Sequence, residues 1–433
     1  MIGKILIGLR SVFQPHIVFI LLSIVFLLVP TPLDLLKSIQ PDKAKVDNAY
    51  IVEDTPFVVI PEPVKPLDSE VSRLLEAAKR MKENKKIERA DKLYSQALRF
   101  APNHPEILMQ YAEFLEKEKK DVVTADSLYS KVLKRDPTNE AALLRHQINL
   151  PQVKAIDMQH YKAIEAKKHA LSMIAPSNLA FRRAKREFYF QLIYHNNAIE
   201  GNTMTLSMTR SVLETGRAIG GQSIREHNEI IGMDAALHFL NGTMLAPDNP
   251  LEIQTILAIH RKLLGNVEPE YAGRYRTHQV YVGDFVPPKP EDVPALMEDL
   301  VRWLNSDEAW SLHPVEYAAI AHYRLVYIHP FVDGNGRTSR LLMNLRLIQA
   351  GYPPVIIKVQ DRYKYYEALG IANSGDIRPF IRFIAQCTET SLDGYLDSLG
   401  IEKDNYNAEY EEYLIKNNGG AEILENDDVI SLP

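Results

Sequence analysis

Twelve consecutive residues, His329-Pro330-Phe331-Val332-Asp333-Gly334-Asn335-Gly336-Arg337-Thr338-Ser339-Arg340, constrain this chain more than any other stretch of it. They bring together an imidazole, a carboxylate, a glycine-rich turn and two guanidinium groups. Gly334 and Gly336 can take backbone angles closed to other residues, so successive N–H groups can converge on an anion. From Thr338 to Gln349 the apolar Leu341, Leu342, Leu345 and Ile348 recur at helical spacing, so the turn opens a helix at its N-terminus. A cation in the first turn of a helix is badly placed for the macrodipole. A phosphate bound there explains Arg340. Read without chemistry, the run is a tight loop between two core helices with His329 as a satisfied polar group, and His-Pro or Gly-Asn-Gly alone would carry no more than that.

The whole run matches His-Pro-Phe-x-Asp/Glu-Gly-Asn-Gly-Arg-x-x-Arg at every fixed position, and on it the chain resembles the Fic family of AMP transferases. Tyr194-His195-Asn196-Asn197-Ala198-Ile199-Glu200-Gly201-Asn202-Thr203, Gly273-Arg274-Tyr275-Arg276 and Ala321-His322-Tyr323 are similar to the membrane-anchored metazoan members that act in the endoplasmic reticulum. The resemblance runs from about Phe181 to Leu399. It implies transfer of AMP from ATP to a threonine of the lumenal chaperone BiP, and removal of that AMP at the same site.

The chemistry can be assigned residue by residue. A Ser or Thr hydroxyl is a poor nucleophile at neutral pH, and His329 has the ordinary pKa of a general base for it. Asp333 offers a hard oxygen to Mg²⁺ (or Mn²⁺), which binds through one or two carboxylates and substrate phosphates. The N–H groups around Gly334, Asn335 and Gly336 would hold phosphate as charge develops. Arg340 would take the γ-phosphate in its planar fork. Arg337 suits a phosphate contact or a brace for the loop equally well. In resembling proteins a glutamate ending Ser/Thr-x-x-x-Glu-Gly/Asn pairs with the last arginine of the run, blocks the γ-phosphate and orients a water for AMP removal. Here that glutamate is Glu200, with Asn196 in place of the hydroxyl residue, which leaves the anchoring of its helix open.

The resemblance also assigns lesser sites. Thr277 to Pro288 reads as a β-hairpin, with Val280, Tyr281 and Val282 before a Gly283-Asp284 turn. It would be the flap that aligns a target by strand addition. Tyr365, Tyr366 and Asn373 fall where the family contacts adenosine, and Ile224 where related proteins place an apolar contact of a homodimer. A Fic site using UMP or phosphocholine, or a chaperone adaptor whose Fic domain is silenced by Glu200, are the competing functions.

The expected architecture is mostly α, an N-terminal anchor, a small TPR helical-repeat domain and an all-helical Fic domain with one β-hairpin flap. Ile17 to Val29 is apolar apart from Ser23, a little short of the roughly 20 residues of a membrane helix. Lys4 and Arg10 precede it, which favours a cytosolic N-terminus. The expected order is a cytosolic stretch 1–11, a signal anchor 12–33, a Pro-rich linker 34–68, two TPR repeats 69–150, a connecting helix 151–180, the Fic domain 181–400 and an acidic tail 401–433 without fixed structure. A cleaved signal peptide is the alternative to the anchor. The protein would then be a single-pass type II membrane protein with its catalytic part in the lumen, where the sequon Asn241-Gly242-Thr243 would make Asn241 a glycosylation site. The repeat rests on Ala90-Asp91-Lys92-Leu93-Tyr94-Ser95 recurring as Ala125-Asp126-Ser127-Leu128-Tyr129-Ser130, at an offset of 35 positions, close to the TPR period of about 34. Lys+Arg of 50 against Asp+Glu of 56, without a long basic run, disfavours nucleic acid. Cys387 is the one cysteine, which excludes an intrachain disulfide.

Overall fold

A computed structural model of the protein describes residues 66–243 and 250–401, together with 406, 410 and 412–414. The expected anchor, nearly all of the linker and most of the tail lie outside these residues. Among the described residues no helix is long and apolar enough to cross a membrane.

The N-terminal helices are α1 (Ser69–Glu83), α2 (Ile87–Phe100), α3 (Pro105–Phe114) running on as a π-helical turn (Leu115–Lys119), α4 (Val122–Arg135) and α5 (Glu140–Ser172). Short polar side chains start three of them: Asp68, Asp121 and Asn139 each accept a backbone N–H of the first turn, which satisfies donors that have no intrahelical partner. The two copies of the sequence repeat occupy equivalent places on α2 and α4, with Ala90 and Ala125 fully buried and Tyr94 and Tyr129 beneath them. The alanines let neighbouring helices approach, and Tyr94, Tyr111 and Phe114 fill the space left, with Tyr94 and Tyr111 stacked at 5.5 Å.

The expected change at 150/151 is absent. Helix α5 runs unbroken across Pro151. A proline inside a helix loses one hydrogen bond and crowds the preceding turn, but α5 buries Ala142, His146, Asn149 and Val153 before Tyr161 and Ile164 on the far side. Packing of that continuous face outweighs the local penalty.

Ten more helices build the rest among the described residues: α6 (Leu179–Ile199), α7 (Leu206–Thr215), α8 (Ile224–Thr243), α9 (Ile253–Leu264), α10 (Val293–Leu304), α11 (Asp307–Ser311), α12 (Pro314–Ile328), α13 (Asn335–Gln349), α14 (Arg362–Asn373) and α15 (Arg378–Ser398). α12 and α13 form the centre. Most residues of both are buried, polar ones included. Pro314 starts α12 at a position where its missing N–H costs nothing.

The hairpin reading of 277–288 needs correction. Its only ladder is one bridge, Val282 to Phe285, closed by two hydrogen bonds of 3.0 Å. Pro287 and Pro288 have no N–H to extend it, and the carbonyls there are taken by side chains, Pro287 by Gln279 and Pro288 by Arg276. The start of the tail also differs from expectation. Tyr406 is buried, and Tyr410 and Tyr413 pack on His169 with the Tyr413 ring 4.2 Å away. Three tyrosines near helical spacing give the acidic segment an apolar face that its composition hides.

The repeat helices are fastened to the helices that follow by charge. Arg378, at the start of α15, donates to Asp126 of α4 (2.6 Å), to Ser130 (2.7 Å) and to Asp376 (2.8 and 2.9 Å), and His146 of α5 reaches Asp126 at 2.7 Å. Farther along, Asp157 of α5 receives both arms of Arg382 at 2.7 and 2.8 Å.

Candidate active site

The motif loop is what joins α12 to α13. His329 ends α12 in the left-handed region, φ 50 and ψ 57, unusual for a residue with a Cβ and sustained only where the surroundings determine it. Gly334 then caps α13 at φ 78. Between them the Asn335 side chain closes the loop on itself, accepting from Phe331 N–H and donating to Phe331 C=O, both at 2.9 Å. Phe331 is clamped flat against the His260 ring, 3.6 Å between centroids and 7° between planes. Gly273 N–H donates to His260 Nδ1 (2.9 Å), so the proton sits on Nε2, which donates to the Asp333 carbonyl at 2.9 Å. Burial holds this imidazole neutral, its pKa lowered to about 4.

The His329 ring is held in one tautomer. Its Nδ1 faces the Val326 carbonyl at 3.2 Å, an acceptor only, so Nδ1 carries the proton and the lone pair is on Nε2. Burial lowers its pKa most, the Arg276 charge adds to that, and the Val326 bond and the Glu200 and Asp333 carboxylates work the other way. The net lowering keeps the ring in its proton-accepting form.

The first N–H groups of α13, from Asn335 to Arg337, have by position no intrahelical acceptor. That helix end attracts an anion. The anion present is Glu200, which follows α6: a Cβ on Gly336 would lie 2.5 Å from Glu200 Oε1 and 3.1 Å from Arg340 Nη1. Only glycine lets the carboxylate come this close. Gly334 contributes differently, since its own N–H is taken by Asp333 Oδ1 at 2.6 Å.

Arg340 is 1% exposed. It gives Nη2 to Glu200 Oε1 (2.8 Å) and to the Asn196 carbonyl (2.9 Å), and Nε to Asn196 Oδ1 (2.6 Å). Nη1 points at the Tyr365 hydroxyl, 3.4 Å away. Burial opposes the charge, but Glu200 and Tyr365 outweigh it and raise the Arg340 pKa above its usual value. Asn196 is thus a direct holder of the arginine, and its amide N–H₂ is anchored on the Leu192 carbonyl at 2.8 Å.

The other expected residues sort by depth. Arg337 braces the loop: its buried guanidinium meets Asp333 Oδ2 at 3.2 Å and Glu229 at 3.5 Å. Asp333 also receives Arg225 at 3.1 Å, yet its side chain is 38% exposed. Tyr365 lies wholly beneath Arg340, its hydroxyl 3.1 Å from His322 Nε2, so it props the arginine and offers no open ring face. Tyr366 beside it is 43% exposed, and Asn373 ends α14 with a buried, unpaired Oδ1. Val282 sits half exposed at the turn of the 277–288 loop. Ile224 is 81% exposed at the start of α8, and Asn241 lies in the last turn of that helix. His260, Arg225, Glu229 and Arg276 escaped the sequence reading. Only Arg276 left a trace there, as part of Gly273-Arg274-Tyr275-Arg276.

The model of the Fic/DOC family matches residues 250–347, which include the whole loop. The chain is 52% identical over 336 residues to "Protein adenylyltransferase Fic" of Nematostella vectensis, covering 78% of each. It is 53% identical over 311 residues to the protein of the same name from Drosophila melanogaster, covering 72% of this chain and 63% of that one. Among solved structures, Fic-1 (residues 134–508) from C. elegans superposes with a TM-score of 0.71 at 42% identity, covering 77% of this chain and 99% of that one. With half of its residues identical to a homologous chain over 78% of that chain's length, the protein belongs to the Fic family.

Proposed function

We propose that the chain is a protein adenylyltransferase that moves AMP from ATP onto a Ser or Thr hydroxyl of a protein target. The observation that carries this is the His329 Nε2 lone pair, set beside a helix N-terminus with Arg340 in its second turn. In the reaction the hydroxyl oxygen forms a bond to the α-phosphorus while the bond to the bridging oxygen breaks and pyrophosphate leaves. His329 Nε2 takes the hydroxyl proton. The α13 N–H groups hold phosphate oxygens as charge develops on them, and Arg340 receives the γ-phosphate once Glu200 moves away.

A divalent cation fits the residues present only together with substrate. Among the described residues no group of three or more His, Cys, Asp or Glu could hold a metal. Asp333 offers a reachable carboxylate, which suffices for Mg²⁺ or Mn²⁺ when nucleotide phosphates supply the other ligands. A bound cation would neutralise phosphate charge.

The finer reading includes a second activity. With AMP-modified target bound, Glu200 orients a water against the phosphorus, so one site both adds and removes AMP. The target is the lumenal chaperone BiP. The repeat helices form a TPR-type arm, residues 12–33 anchor the chain in the endoplasmic reticulum membrane with the catalytic part lumenal, and Ile224 meets a second copy. Exposure of Ile224 and the resemblance to metazoan relatives support this.

The test is intact-mass measurement of purified BiP after incubation with the Glu200→Gly enzyme, Mg²⁺ and, in parallel, ATP, UTP or CDP-choline. An AMP adduct from ATP alone is the expected result. An adduct from either other donor and none from ATP would replace the adenylyltransferase reading, and modification of the enzyme without BiP would remove BiP as target.

A further inference from the structure

Arg276 has no part in the mechanism above, yet few side chains are bound to so many separate pieces of the site. It is 2% exposed. Its backbone N–H donates to the Pro330 carbonyl at 2.9 Å and its Nε to the carbonyl of His329 itself at 2.7 Å. The same guanidinium gives Nη1 to the His278 carbonyl (3.2 Å) and Nη2 to the Pro288 carbonyl, with Ile328 C=O at 3.5 Å. The 277–288 loop is therefore gripped at both feet by the group that grips the base residue.

We propose that Arg276 is a positioning residue for the transfer reaction, fastening the 277–288 loop to His329 so that a protein segment docked on the loop is held in register with the base. This rests on the adenylyltransferase reading of the site.

Three observations argue against a merely structural arginine. Among the described residues its side-chain partners are all carbonyls, so a full charge is buried without a carboxylate to offset it, and burial is the one cause acting on its lowered pKa. The bond to His329 C=O falls on the residue whose left-handed backbone most needs holding. Finally, Phe285 of the loop packs on Tyr327, two residues before the base, with 5.4 Å between rings, so loop and base residue share a second attachment. The exposed Tyr281, Val282 and Val286 lie between these anchors, free to meet a partner.

The test uses the full chain in the Glu200→Gly background with Arg276→Gln and Arg276→Lys. Three quantities are followed: ATP affinity by equilibrium titration, amide hydrogen exchange across residues 277–288, and the pH profile of AMP incorporation into the enzyme itself. A misplacement of about 1 Å costs about 10²-fold in rate, and Arg276→Gln is expected to lose about that much incorporation with ATP affinity nearly unchanged. Loop exchange should quicken, and the acid limb of the profile should move to higher pH because a positive charge beside His329 is gone. Arg276→Lys keeps the charge but not the fork, so its acid limb should stay in place while incorporation falls by about tenfold.

Unchanged loop exchange in Arg276→Gln, or incorporation kept within about threefold despite a loosened loop, would overturn the proposal. If Arg276→Gln does not fold, Arg276→Lys decides, since exchange and incorporation equal to the arginine enzyme would sink it. Absence of incorporation with Arg276 intact is a separate outcome: it removes the adenylyltransferase reading, and the positioning role with it.

Discussion

His329→Ala, made in the Glu200→Gly background, is expected to lower AMP incorporation by about 10²–10⁴, the usual contribution of a positioned base, without lowering ATP affinity. The side chain's hydrogen bond is to Val326 C=O, so its loss should leave the fold and the phosphate cradle in place. The pH profile gives an independent check. The reactive form is the neutral ring, and burial, followed by the Arg276 charge, puts the His329 pKa below its ordinary 6.5. The rate should therefore stay level as pH falls through 6.5 and decline only below it, and that decline should vanish in His329→Ala. Residual transfer within a few-fold of the parent, or a decline that survives the substitution, would mean that another group takes the proton.

Glu200→Gly should move two rates in opposite directions. In the resting protein the carboxylate covers the α13 N-terminus and holds one arm of Arg340, where the γ-phosphate would bind. Deleting it should leave the arginine in place, because Asn196 keeps two bonds to the guanidinium and Tyr365 lies beneath it. A freed but still oriented fork is ready for phosphate. Couplings of this kind are typically 1–3 kcal/mol, which corresponds to a gain of about 5- to 150-fold in ATP-dependent modification. The same substitution should abolish release of AMP from modified target, since the water loses its orienting group. Both rates are read from one time course with radiolabelled nucleotide, run forward and then in excess unlabelled ATP. Increased transfer with full release activity would reduce Glu200 to an inhibitor.

What could be read in the chain beforehand was whatever is local along it. The loop from His329 to Arg340 carries its chemistry in adjacent residues, and each of them lies where a phosphate site needs it or just behind. The bonds that hold the loop are between distant positions. Asn196 meets Arg340 across 144 residues, and His260 meets Asp333 across 73. No periodicity records such pairs. Tyr365 shows a related limit: helical spacing cannot say which of two adjacent tyrosines faces inward, and Tyr365 faces Arg340 while Tyr366 faces out. At Pro151 and at Pro287-Pro288 local propensity pointed to structure that tertiary packing and side-chain hydrogen bonds replaced.

Helix α5 belongs to both parts of the molecule, pairing with Asp126 through His146 near its start and stacking Tyr161 on His313 farther along. Arg378 is buried across the same seam, and separating the parts would break its bonds to Asp126 and Ser130. Heat therefore finds no plane along which to melt one part first. The described residues should unfold as one cooperative unit, with a single calorimetric transition, and a cut at the apparent boundary before Pro151 would sever a shared strut instead of releasing a module.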